Sequence, residues 1–206
     1  MKLLRGAAAI LLAAWMLGTV AFADVSDSTA PFPDVMPDAE YAQAVAELAN
    51  LGVITGDDKG NFNPDSTITR AETAAIICRL LGVETLAGEP ADSPFSDVPA
   101  SHWAAGYVSA ASDMNIINGY GNGKFGPADP VTYEQMAKML VCAWGNGDMA
   151  EERGGYPDGY LEVAEEMGLL DGLSADAASP APRWAVAMMA MTASMQPTNY
   201  EGGDVE

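Results

Sequence analysis

Few residues in this chain could do recognition chemistry, and the most telling is an arginine. Arg70 directly follows Thr69, the N-cap of a predicted helix, so its guanidinium lies beside the positive end of a helix dipole. A guanidinium fork together with free backbone N–H groups suits a carboxylate. Trp103 offers a flat face on which a ring can stack, and Asp34 or Asp97 can accept hydrogen bonds from hydroxyls. Each of these has a plainer reading. Arg70 also fits a solvated helix start, Trp103 a core aromatic, and the aspartates helix caps or turn formers.

Other chemistries find less support. His102 is the single histidine, so a Ser-His-Asp array could form only around it, and a zinc site with several histidines is impossible. A pair of carboxylates as in glycosidases stays open in so acidic a chain, but no particular Asp or Glu stands out. Asp57 and Asn61 sit in a turn that invites a calcium-loop reading. Lys59 occupies a position where a ligand is needed, however, and no bidentate glutamate follows, so a plain turn is expected. No cofactor and no metal are expected.

The elements that would position these residues come as a repeat. Pro31-Phe32-Pro33-Asp34-Val35 recurs as Pro94-Phe95-Ser96-Asp97-Val98, and the same offset takes Gly56 to Gly119, Phe62 to Phe125, Thr69 to Thr132 and Gly82 to Gly145. Such a period means one supersecondary unit used more than once. Each copy reads as helix, turn, loop, helix. Tyr41, Ala44, Val45, Leu48 and Leu51 share one helical face, matched by Ala104, Tyr107, Val108, Ala111 and Met114. Gly52 and Asn115 follow, the two residue types that most readily end a helix in the left-handed conformation. The second helix opens with a capping box in both copies, Thr69-Arg70-Ala71-Glu72 and Thr132-Tyr133-Glu134-Gln135. Its buried stripe is Ala74, Ile77, Cys78 and Leu81, then Ala137, Leu140, Val141 and Trp144.

A third, shortened copy is traced from Tyr156. Tyr160, Leu161, Ala164 and Met167 form its first face, Gly168 takes the Gly52 position, and a second helix starts near Pro182-Arg183-Trp184 and runs to Met195. It lacks the capping threonine and its carboxylate partner. The expected organisation is repeat 1 at 31–82, repeat 2 at 94–145, a degenerate repeat 3 at 156–195 and a tail at 196–206. Linkers are expected at 83–93 and 146–155.

Residues 1–23 read as a secretory signal peptide. Lys2 and Arg5 precede an apolar run from Gly6 to Val20, and Ala21-Phe22-Ala23 is a small-x-small cleavage site. No later run is long enough to span a membrane, and no lipidated cysteine is apparent, so attachment to a surface would be non-covalent. The chain has 9 basic and 29 acidic residues. Without Lys2 and Arg5 the net charge falls from −20 to about −22, which makes nucleic acid and anionic membranes poor partners. Cys78 and Cys142 lie in apolar helical stretches, where export permits a disulfide but buried free thiols fit equally well.

Together the aromatic-Pro/Ser-Asp-Val opening, His102-Trp103-Ala104, Gly119-Tyr120-Gly121, Phe125-Gly126-Pro127 and Thr69-Arg70-Ala71-Glu72 resemble S-layer homology (SLH) modules. The resemblance covers almost the whole chain after the signal. It implies an all-α fold in which three modules pack as a pseudo-threefold, three-pronged bundle. It further implies grooves that bind secondary cell-wall polysaccharide, often through a pyruvylated terminal sugar, or peptidoglycan. Arg70, Glu72, Asp34, Asp97, Trp103, Gly119, Tyr120 and Arg183 are the ligand-binding residues carried over by it. Tyr133 replaces the motif arginine in the second copy, Glu134 adds a negative charge, and the first copy has no match for Trp103. The expected role is a non-catalytic envelope-binding module at the cell surface. The alternative is a structural or adaptor protein that binds other envelope proteins and no longer binds glycan.

Overall fold

The computed structural model describes residues 31–83 and 93–198. The expected signal peptide at 1–23, most of the expected 83–93 linker and the end of the expected tail lie outside the described residues. Among the described residues seven helices follow in order: α1 (Ala42–Asn50), α2 (Arg70–Leu80), α3 (Ala105–Asp113), α4 (Tyr133–Ala143), α5 (Gly147–Glu152), α6 (Asp158–Glu166) and α7 (Arg183–Ser194). Among the described residues there is no strand, so the fold is all-α, with three isolated β-bridges, Thr67–Pro182, Thr69–Pro130 and Thr132–Pro180.

Both capping boxes form. Thr69 accepts from the Glu72 N–H while Glu72 accepts from the Thr69 N–H, and Thr132 and Gln135 do the same. α7 starts at Pro182 without a side-chain cap. Its first N–H groups are satisfied from elsewhere: Arg183 donates to the Ser66 carbonyl and Trp184 to that of Pro64. The first helices end as their sequences require, with Gly52, Asn115 and Gly168 at φ 72°, 57° and 69°.

Helix pairing is not between sequence neighbours within a repeat. α3 packs on α2 of the preceding repeat, α6 on α4, and α1 on α7. α2, α4 and α7 touch one another and are buried on most sides. Between them Val131 donates to the Ile68 carbonyl and Ala181 to that of Val131, with all three side chains almost wholly buried. Phe62 and Phe125 fill the loops, each paired with a second phenylalanine, Phe32 and Phe95, at 5.5 Å between ring centroids. Full burial of such a side chain stabilises the fold by about 2–3 kcal/mol.

Two expectations are corrected here, and the open choice for the cysteines is decided. Leu51 is exposed, because it is the C-cap of α1 and projects beyond the last packed turn. The 146–155 segment is not a plain linker: it holds α5, whose Ala150 is fully buried against α6. Gly159 permits this contact, since a Cβ there would overlap the Ala150 carbonyl. Both cysteines are free thiols, Cys78 buried and Cys142 half-buried, and burial pushes the Cys78 thiol up to about 11.

Candidate functional site

Two grooves lie where copies meet, and an arginine holds each one together. Arg70 is only 4% exposed, so it is not a solvated helix-start residue. Its side chain leaves α2 and crosses to the second copy. Nε donates to the Phe125 carbonyl at 2.9 Å, Nη2 to the Asn118 carbonyl at 2.9 Å and Nη1 to Gln135 Oε1 at 3.3 Å. The guanidinium also lies against the Phe125 and Tyr120 rings, at 4.6 and 4.9 Å from their centroids. Burial lowers its pKa, and the surrounding acidic groups oppose that shift. Five N–H donors with three committed leave two free for another acceptor.

The groove beside Arg70 has a volume of about 190 Å³. Lys138 from α4 is its second cation, and Tyr120, Tyr156 and Gln135 supply aromatic and amide walls. The Lys138 ammonium sits over the Tyr156 and Tyr160 rings at 5.5 and 5.3 Å. With the Asn118 amide turned to suit its neighbours, its oxygen accepts from Lys138 Nζ at 3.1 Å. Tyr156 is 45% exposed, and its hydroxyl donates to Glu134 Oε1 at 2.7 Å. Burial and this carboxylate raise its pKa.

Arg183, at the start of α7, repeats the pattern of Arg70. Nε donates to the Phe62 carbonyl at 2.7 Å, Nη2 to that of Thr55 at 3.0 Å and Nη1 to Glu72 Oε1 at 3.3 Å. The guanidinium lies 5.0 Å from the Phe62 ring centroid. The groove beside it is larger, about 390 Å³, and is bordered by Trp103, Glu72, Asp57, Arg79 and Arg183. Trp103 is 55% exposed, which corrects the core-aromatic alternative. Its indole stacks on His102 and meets Tyr107 edge-on. Arg79 is held by the Tyr107 hydroxyl and the Val53 carbonyl, both at 3.3 Å.

At the start of α4 the arginine position is taken by Tyr133. Its N–H donates to the Ser179 carbonyl, as those of Arg70 and Arg183 do to the carbonyls of Asp129 and Ser66. The ring is buried, and Ala185 stands where Glu72 and Gln135 stand in the other copies.

The remaining sequence candidates split by role. Asp34 and Asp97 are not free acceptors for hydroxyls, because both oxygens of each already bind loop backbone. Asp34 accepts from the Phe62 and Asn63 N–H groups at 2.8 and 2.6 Å, and Asp97 from those of Phe125 and Gly126 at 2.8 and 2.9 Å. They are loop staples, the turn-forming alternative. Burial works against the Asp97 charge, but these N–H bonds hold its carboxyl below the usual range. Asp57 is a turn former too, accepting from the N–H groups of Lys59 and Asn61 and from Asn63 Nδ2. Gly119 is required where the loop backbone nears Phe95, since a Cβ would stand 2.5 Å from the Lys124 carbonyl. Tyr120 closes the smaller groove, its hydroxyl on Asp129 Oδ2 at 3.0 Å.

Lys138, Tyr156 and Arg79 were missed in the sequence. A signal for Tyr156 exists: Trp103 and Tyr156 each stand twelve residues ahead of the residue that ends the following helix, Asn115 and Gly168. Lys138 and Arg79 have no such counterpart, because the copies differ at both positions.

The S-layer homology domain model matches residues 31–74 and 94–137. A "Cell surface protein" of Thermoanaerobacter kivui is 38% identical over 149 residues, 71% of this chain and 19% of that protein. A "Surface layer protein" of Brevibacillus choshinensis is 33% identical over 75% of this chain and 13% of its own length. A "Cellulosome-anchoring protein" of Acetivibrio thermocellus is 33% identical over 50% of this chain and 23% of its own. The chain thus spans less than a quarter of the length of these relatives. The matched residues include Arg70, Glu72, Trp103, Tyr120 and Gln135 of the two grooves, and the chain carries two S-layer homology domains, at 31–74 and 94–137.

Proposed function

We propose that this chain is an exported, non-catalytic module that attaches to the cell wall by binding its glycan in the grooves between copies. The ligand is a secondary wall polysaccharide bearing a pyruvylated sugar, or else peptidoglycan. The observation that carries this reading is the groove with two cations and aromatic walls under Arg70 and Lys138, in a chain of net charge −20. Concentrated positive charge on so acidic a protein selects an anion at short range, where screening by salt is weakest. The half-exposed Trp103 and Tyr156 add flat faces for sugar rings. On this reading 156–195 is a third, degenerate module that completes both grooves through Arg183 and Tyr156. His102 has a local task, its Nδ1 accepting the Ala104 N–H at 3.2 Å, which supports a role outside catalysis.

The test is co-sedimentation with purified sacculi before and after chemical removal of the secondary polymer. Arg70→Ala is a poor probe, because Arg70 is buried and structural. Lys138→Ala and Trp103→Ala are the informative variants: Trp103 is half-exposed, and Lys138 makes only cation–π contacts with Tyr156 and Tyr160 and one amide hydrogen bond, so each can be checked for an unchanged fold by thermal unfolding. Binding should fall in both and on stripped sacculi. Equal sedimentation of wild type and both variants on intact and stripped walls would leave the adaptor reading in its place.

A further inference from the structure

The two grooves are built on the same plan but differ in charge, and one position accounts for most of that difference. In the larger groove the arginine faces a carboxylate, Arg183 Nη1 to Glu72 Oε1 at 3.3 Å. In the smaller one the matching contact is Arg70 Nη1 to an amide, Gln135 Oε1, also at 3.3 Å. The larger groove sets Arg79 and Arg183 against Glu72 and Asp57, so its lining is balanced. The smaller sets Arg70 and Lys138 against no carboxylate in its lining. The nearby Asp129 and Glu134 already accept hydrogen bonds from the Tyr120 and Tyr156 hydroxyls.

We infer that the two grooves take different parts of the ligand: Gln135 fits the smaller groove to an acidic sugar, and Glu72 fits the larger groove to an uncharged one stacked on Trp103. This rests on the glycan-binding reading above and adds to it a division of labour set at one paired position. A carboxylate at that position competes with an anionic ligand for the arginine and repels it, whereas an amide does neither. The exchange is tolerable in the fold, because Glu72 and Gln135 each complete a capping box in their own copy.

The reciprocal variants Gln135→Glu and Glu72→Gln provide the test, with full-length wild type beside them. The probes are a methyl N-acetylhexosaminide carrying a 4,6-pyruvyl ketal and the same compound as its uncharged methyl ester. NMR titration separates the grooves, since the Trp103 indole N–H reports on the larger and the Lys138 ε-methylene on the smaller. Wild type should bind the acid at Lys138 and the ester at Trp103. Gln135→Glu should weaken the acid at Lys138 by roughly tenfold and leave the ester at Trp103 unchanged. Glu72→Gln should make the Trp103 signal respond to the acid. If the acid binds both grooves of wild type alike, or Gln135→Glu leaves its affinity unchanged, the division of labour is wrong although glycan binding stands. If neither probe nor intact sacculi bind wild type, the glycan reading fails and takes this inference with it.

Discussion

Arg70 and Arg183 make the same three kinds of hydrogen bond and lie on the same kind of phenylalanine, yet the grooves beside them differ in size and charge. Two of the three bonds in each case go to backbone carbonyls, which every residue type supplies. The joints between copies can therefore persist while side chains around them change. What changes is the third partner, glutamate or glutamine, the residue one turn further along the helix, and the aromatic brought by the next copy. Scaffold and recognition are thus carried by different atoms of one arrangement.

The sharpest way to break this comparison is to remove each arginine. Arg70→Ala leaves the buried Phe125 carbonyl and the partly buried Asn118 carbonyl without their donor and empties space against two rings. It should cost about 4 kcal/mol in urea unfolding. Arg183→Ala should cost less, about 2 kcal/mol, because that guanidinium is partly open to water and its ion pair with Glu72 is screened. Equal losses would mean that the two joints do not differ in burial as described. Next in size are the loop glycines. A Cβ at Gly119 would stand 2.5 Å from the Lys124 carbonyl and 2.6 Å from the Phe95 ring, whereas at Gly56 the matching contacts, the Asn61 carbonyl and the Phe32 ring, lie at 2.9 and 2.8 Å. Gly119→Ala should therefore destabilise by about 3 kcal/mol and Gly56→Ala by about half of that, by thermal unfolding.

Acid separates the loops more gently. Hydrogen bonds from the Asn63 side chain and the Asn61 backbone hold the Asp57 carboxyl down to about 2. Its folded pKa lies below the ordinary value, so its contribution is complete above about pH 4 and disappears as pH falls through 2. Tyr120 stands at this position in the second loop. Carboxyl NMR should place Asp57 near 2, and the 56–62 turn should loosen in acid before the 119–125 turn does. The smallest effect expected is that of Trp103→Ala on stability, about 0.5 kcal/mol by urea unfolding, since more than half of that side chain is already in water.

Much of the scaffold was legible along the chain. Apolar spacing, Thr-x-x-Glu or Gln at helix starts and Gly or Asn at helix ends are local signals, and the helices they define are present. Arg70 was legible as a special residue, but the sequence placed its charge at its own helix start, while the folded chain sends it across to Phe125 and Asn118. Asp34 and Asp97 were taken for exposed acceptors because their partners lie 28 and 29 residues away, beyond any local pattern. Lys138 lies on α4 and Tyr156 ahead of α6, and they become neighbours only on folding. α5 was hidden because Gly147 and Asp148 look like turn chemistry, and burial of Ala150 against α6 decides the matter.

The bond from Arg183 to the Phe62 carbonyl spans 121 residues. A growing chain can build the smaller groove once α6 has emerged, but the larger one must wait for α7, near the end of the described chain. Contacts of such separation slow folding and make completion depend on the final segment. A copy cut short before α7 would leave the Phe62 and Thr55 carbonyls unpaired and α1 without its partner helix. The larger groove therefore reports on α7: only a chain synthesised through that helix can possess it.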